Sequence, residues 1–138
     1  AVEAAIALAT ERGAKRAIAL PVSAPFHCQL MKPAADKMAR ALAEAQLLKP
    51  VVPVVANVTA QGVSDPAEIR DLLVKQVTGT VRWRESVLWM KSQGVSEMVE
   101  LGAGKVLSGL VKRIDKDIAC ESVGTPEQIE ALIGKLKG

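Results

Sequence analysis

The chain is short of the residues that build metal centres, disulfide frameworks and nucleic-acid surfaces. Its 138 residues hold one histidine, His27, and two cysteines, Cys28 and Cys120, far apart in sequence. That supply offers neither a disulfide framework nor zinc-ligand spacing, so no metal is expected and both thiols are read as reduced. Aromatic residues reach only 2%, namely Phe26, Trp83 and Trp89. No Lys/Arg block is dense enough to follow a phosphate backbone, so nucleic acid is not an expected partner despite a net charge of +3. No uninterrupted apolar run approaches the roughly 20 residues that span a bilayer. The N-terminus lacks the basic, apolar and small-residue blocks of a signal peptide, so a cytoplasmic location without membrane contact is expected. An initiator methionine is also missing while Val2, Ile6 and Ala9 already stand at helical spacing, which suggests that the chain begins inside something larger.

What is present describes an ordinary globular chain, with 49% hydrophobic and 24% charged residues. An opening helix ends at Gly13, and the β-leaning stretch 16–22 reads as a strand. Met31, Ala34, Ala35, Met38, Leu42 and Ala45 then mark one face of a long helix with Pro33 in its first turn. A buried strand is expected at 54–58, starting after Pro53, which has no ladder N–H to give. Asp65-Pro66-Ala67-Glu68 opens a helix with Ile69, Leu72 and Leu73 inward, and Thr125-Pro126-Glu127-Gln128 opens another. Between them stand a helix at 83–93, a strand at 97–101, a helix at 105–114 with Val106, Leu107, Leu110 and Ile114 inward, and a strand at 118–122. Helices alternating with apolar strands predict an α/β layer structure with a mainly parallel sheet, whose sites lie at the carboxyl ends of strands. His27 follows the first expected strand, Asn57 ends the second and Gly102 follows the third, so the three are expected to converge on one crevice.

Each candidate for chemistry has a plain structural alternative. His27, at a strand-to-helix junction, has the placement a general base needs, or it is a packing or capping residue. Cys28 beside it suggests a thiol nucleophile, although sequence neighbours in extended chain point in different directions. Leu101-Gly-Ala-Gly-Lys-Val-Leu-Ser-Gly109 invites a phosphate-loop reading that its spacing refuses, because a Walker loop needs glycine where Val99 stands. A tight turn permitting close helix packing is the plainer account. Gln76 prolongs the apolar face of its helix, so its amide is either a satisfied core group or part of a frayed end.

Ser23-Ala-Pro-Phe-His-Cys-Gln-Leu-Met-Lys-Pro-Ala-Ala35 closely resembles the active-site histidine segment of malonyl-CoA:acyl carrier protein transacylases. Val51-Val-Pro-Val-Val-Ala-Asn-Val58, Lys75-Gln-Val77, Val81-Arg-Trp83 and Glu100-Leu-Gly-Ala-Gly-Lys-Val-Leu-Ser-Gly-Leu110 resemble the same family in the same order. The resemblance implies that His27 is the base activating a serine, which takes malonyl from coenzyme A and passes it to the phosphopantetheine thiol of acyl carrier protein. It also implies that the backbone carbonyl of Gln76 orients the imidazole, that Phe26 borders the acyl pocket, and that Asn57 lies near the site. No cofactor is implied, since malonyl-CoA and the carrier protein are substrates. The family's Gly-His-Ser-Leu-Gly elbow, the arginine that pairs with the malonyl carboxylate and the N-terminal oxyanion-hole glutamine do not occur here. The chain therefore looks like the C-terminal half of such an enzyme. Residues 1–22 would end the small ferredoxin-like subdomain, 23–138 would form the C-terminal part of the hydrolase-like core, and the N-terminal half would be the missing partner. A polyketide synthase acyltransferase part and a non-catalytic module that binds acyl carrier protein are the alternatives.

Overall fold

Local capping signals place most of the helices. The computed structural model describes all 138 residues, beginning with α1 (Val2–Glu11), which ends in a turn where Gly13 takes φ +89°. After a single 3-10 turn at Gln29–Met31 comes α2 (Lys32–Glu44), with Pro33 in its first turn. The Asp65 side chain accepts the Glu68 N–H at 2.9 Å and opens α3 (Pro66–Lys75). Glu68 thus serves through its backbone. At the other end of the chain Thr125 and Gln128 form a reciprocal capping box that starts α6 (Pro126–Lys137).

The strands depart further from expectation. Residues 16–22 form no strand: their only backbone hydrogen bond is the local one from Val22 N–H to Leu20 O, and Ile18, Leu20 and Val22 stay 57–70% exposed. A strand exists only where a neighbour completes its ladder, and no segment of this chain lies alongside. β1 (Val54–Ala56) is shorter than expected because Asn57 leaves the strand for a turn closed by Ala60 N–H on Ala56 O at 2.8 Å. The chain then returns antiparallel as β2 (Gln61–Val63), pairing Val54 with Val63 and Ala56 with Gln61. Gly62 in β2 lies against the Trp89 indole, and a Cβ there would come within 2.6 Å of the ring. The indole packs directly on the strand only because position 62 has no side chain.

α4 (Trp83–Ser92) leads to a βαβ unit of β3 (Glu97–Leu101), α5 (Val106–Ile114) and β4 (Ala119–Val123). β3 and β4 pair in parallel from Glu97 opposite Ala119 to Leu101 opposite Val123. The content is therefore α/β, but the expected mainly parallel sheet resolves into two separate two-stranded sheets, one parallel and one antiparallel.

Two small cores hold these units. Val63, Ile69 and Leu72 pack with Ala56, Val58 and Leu73, while Val87, Val111 and Ile118 pack with Trp83, Met90, Met98 and Ile114. Lys91 ties α4 to the segment after α5 through ion pairs with Asp115 and Asp117. α5 is rotated from its expected setting: Ser108 and Val111 are buried, whereas Val106, Leu107 and Leu110 face outward. Only 11 residues are buried, and the accessible surface is 10441 Å². A compact monomer of this mass exposes about 6,900 Å². Large apolar side chains contribute to the excess, with Leu30, Leu48, Val51, Val106 and Leu136 all at least 69% exposed.

Candidate active site

Between Pro25 and α2 the chain makes a sharp turn that presents His27. Phe26 N–H bonds to Ala24 O at 2.9 Å, His27 takes the left-handed φ of +58°, and Met31 N–H closes the next turn on Cys28 O at 3.0 Å. A non-glycine residue in that region is held at a cost of order 1–3 kcal/mol, which surrounding structure must offset. The conformation lays the ring against the C-terminus of α3, where Nδ1 meets the backbone oxygen of Gln76 at 3.2 Å. A carbonyl can only accept, so Nδ1 is the donor, and in the neutral form of the ring the free lone pair is then on Nε2.

Gln76 is the C-cap of α3, and its own N–H bonds to Leu72 O at 3.0 Å. Its carbonyl also receives the Gly79 N–H at 3.3 Å. The negative end of the α3 dipole therefore points at the His27 ring, the polarity that supports positive charge formed during proton transfer. Cys28 is not aimed at the imidazole, since its Sγ donates to Pro25 O at 3.1 Å. Phe26 is 56% exposed beside the histidine.

Asn57, at the end of β1, donates from Nδ2 to Thr80 O at 3.0 Å and accepts the Arg82 N–H on Oδ1 at 2.9 Å. Asn57 and Gln76 both border a mostly apolar cavity of about 170 Å³, open to solvent, with Trp83, Ser86 and Met90 on its wall. Gly102 does not join them. It borders a different cleft, with Gly104, Gly124 and Thr125, at the carboxyl ends of β3 and β4. The three residues do not line one crevice: His27 is absent from the wall of the Asn57 cavity and is linked to Asn57 only through the segment 76–82, which both residues bond, while Gly102 lies in a separate cleft.

The glycine turn after β3 has an internal occupant that sequence reading missed. Glu100 accepts the N–H groups of Leu107 and Ser108 at 3.0 and 2.8 Å and the Ser122 hydroxyl at 3.2 Å. Its carboxylate fills the α5 N-terminus that a phosphate would need, a second reason against nucleotide binding. The two backbone N–H bonds lead in holding its pKa down from 4.5 to about 2. A depressed carboxylate stabilises the fold above its unfolded value and loses that contribution as pH falls through the folded one. Glu100→Gln is therefore expected to lower the melting temperature at pH 7, with the gap to wild type closing as pH falls from 4.5 toward 2. Equal melting temperatures at pH 7 would show that the cap contributes nothing. No group of three His, Cys, Asp or Glu side chains is gathered closely enough to hold a metal, and no helix is long and apolar enough to cross a membrane.

Known proteins resemble this arrangement over almost its whole length. The malonyl CoA-acyl carrier protein transacylase of Salmonella typhimurium is 47% identical over 133 residues, which is 96% of this chain and 43% of that protein. The Bacillus subtilis transacylase is 45% identical over 136 residues, 99% of this chain and 43% of its own length. The chain is homologous to part of the malonyl-CoA:acyl carrier protein transacylases. Solved structures agree: the acyl-carrier-protein S-malonyltransferase of Bartonella henselae superposes with a TM-score of 0.89 at 52% identity, over 99% of this chain and 44% of that one. A malonyl-transacylase solved in complex with a type II polyketide synthase acyl-carrier protein superposes with a TM-score of 0.83 at 43% identity, covering 96% of this chain and 43% of that one. No family model matches the chain. It spans less than half the length of the transacylases it matches.

Proposed function

We propose that this chain supplies the histidine side of a malonyl-CoA:acyl carrier protein transacylase of fatty-acid synthesis, with the nucleophilic serine on polypeptide outside its 138 residues. The observation that carries the reading is the hydrogen bond between His27 Nδ1 and the Gln76 carbonyl, which leaves Nε2 free as a base. In the first half-reaction Nε2 takes the serine proton while the serine oxygen attacks the malonyl thioester carbonyl. The tetrahedral adduct collapses to malonyl-serine, and the coenzyme A sulfur leaves with the proton from the imidazolium. In the second half-reaction the carrier's phosphopantetheine thiol gives its proton to Nε2 and attacks the ester. The serine oxygen then recovers that proton as malonyl leaves on the carrier thiol.

The same reading accounts for the exposed apolar surface. More than half of each relative's length lies outside the matched region, and polypeptide of that extent is what would cover Val51, Val106 and their neighbours. Within the assembled enzyme, residues 1–22 would close the small ferredoxin-like subdomain, and 23–138 would form the C-terminal part of the hydrolase-like core. The partners are then malonyl-CoA, acyl carrier protein and the N-terminal half. The test is transfer of malonyl from coenzyme A to the carrier thiol by the chain joined to that half. An assembled, folded protein that fails to acylate the carrier would overturn the proposal.

Phe26 offers a finer test of the acyl pocket. Its ring stands next to the imidazole in sequence, where the methyl of a methylmalonyl group would compete for space. One methyl is worth about 1–3 kcal/mol in a hydrophobic pocket. Phe26→Ser is therefore expected to raise kcat/KM for methylmalonyl relative to malonyl by roughly tenfold. An unchanged product ratio in competition between the two acyl-CoA substrates would show that the ring only packs the start of α2.

A further inference from the structure

Asn57 joins segments that lie more than 20 residues apart in sequence. Its carboxamide reads one short backbone stretch from both sides: Nδ2 donates to Thr80 O at 3.0 Å, and Oδ1 accepts the Arg82 N–H at 2.9 Å. That stretch closes the loop 76–82, which begins with the carbonyl on which His27 rests. The rest of the loop is held by weaker local turns. Val77, Thr78 and Gly79 N–H groups reach Val74, Lys75 and Gln76 oxygens at 3.2–3.3 Å, the long end of the range for such bonds. The two bonds from Asn57 are shorter than all three.

The asparagine is itself braced. Arg82 returns across the same junction, with Nη1 donating to Val58 O and Thr59 O at 3.2 Å each, so the turn after β1 and the loop after α3 hold one another. The carboxamide gives a donor and an acceptor from two separate atoms at this position. Aspartate would keep the acceptor for Arg82 and set a carboxylate oxygen against Thr80 O, and alanine would supply neither. The contact between His27 and Gln76, at 3.2 Å, has little tolerance for a loop that drifts outward.

We propose that Asn57 is a positioning residue for the His27 imidazole, acting through the loop 76–82 and the Gln76 carbonyl. The asparagine does not touch the ring. By fixing where the loop closes it fixes where the carbonyl stands, and the carbonyl decides which ring nitrogen carries the proton. The kinetic consequence rests on the transacylase reading, whereas the structural link from Asn57 to the ring does not.

Both parts are separable because this chain has a single histidine. The chain is labelled with ring-¹⁵N histidine and assembled with the unlabelled nucleophile-bearing half, so one imidazole alone gives signals. In the wild type the nitrogen shifts should report the tautomer protonated at Nδ1. Asn57→Ala should move the population toward the Nε2-protonated form and lower kcat for malonyl-enzyme formation roughly tenfold to a hundredfold, the scale of a misplaced catalytic group, with little change in KM. Asn57→Asp, which retains one of the two bonds, should fall between, and it serves where the alanine variant does not fold. Asp65→Ala, which removes the α3 N-cap, should lower the melting temperature yet leave tautomer and kcat as in the wild type. Asn57 variants that lose thermal stability alone, with the wild-type tautomer and kcat, would overturn the proposal. A wild type that transfers no malonyl, while Asn57→Ala still shifts the tautomer, would sink the transacylase reading and leave the positioning link standing.

Discussion

His27→Ala in the assembled enzyme is expected to slow malonyl-enzyme formation by about a hundredfold or more, the scale on which a positioned base contributes. The expectation follows from geometry, since the Gln76 carbonyl makes Nδ1 the donor and so selects, for the neutral ring, the tautomer whose Nε2 is an acceptor. Gln76 supplies an internal comparison. Its contribution comes from a backbone oxygen, so Gln76→Ala preserves the acceptor and should cost much less. Gln76→Pro removes the N–H that bonds to Leu72 O and displaces the end of α3, so it should approach the effect of losing the histidine. Single-turnover acylation by malonyl-CoA measures all three variants. Equal, severe losses in the alanine and proline variants would instead assign the role to the glutamine side chain.

The 138-residue chain by itself is expected to show no transacylase activity at all. The covalent step needs an activated nucleophile, and the one thiol adjacent to His27 is turned away to bond with Pro25 O. The exposed surface leads to the same expectation by a different route. Some 10441 Å² is accessible where about 6,900 Å² would suffice for a compact monomer of this mass, so the isolated chain should associate or bind hydrophobic dyes until the missing polypeptide covers it. Malonyl transfer by the purified chain, above a blank and undiminished by repurification, would refute the assignment of the nucleophile to other polypeptide.

The parts of the fold that were legible in the sequence are those set by short-range chemistry. Asp65 and Thr125 cap the helices they were expected to open, because an N-cap needs only its own next three residues. The strands were less legible because pairing is decided elsewhere. Residues 16–22 have strand-like composition and no partner, while β2 contains Gly62 and carries little strand propensity, yet forms because β1 and the Trp89 ring accept it. α5 turned Ser108 and Val111 inward instead of Leu107 and Leu110, since periodicity alone does not choose between two apolar stripes. At the site, His27 was a candidate base from its place in the chain, whereas its carbonyl partner was expected only through family resemblance. Composition could not have paired a ring with a backbone oxygen 49 residues away. Glu100 escaped notice because an acid in an alternating strand reads as solvent-facing, and its N–H partners lie in the next helix.

The central claim is that His27 serves as the base for a serine this chain does not carry. Its most direct test is the mass of the nucleophile-bearing half after brief exposure to malonyl-CoA, taken alone, with this chain added, and with the His27→Ala chain added. The account predicts rapid stoichiometric malonylation of one serine only when the wild-type chain is present. Malonylation at the same rate with the alanine variant would contradict it.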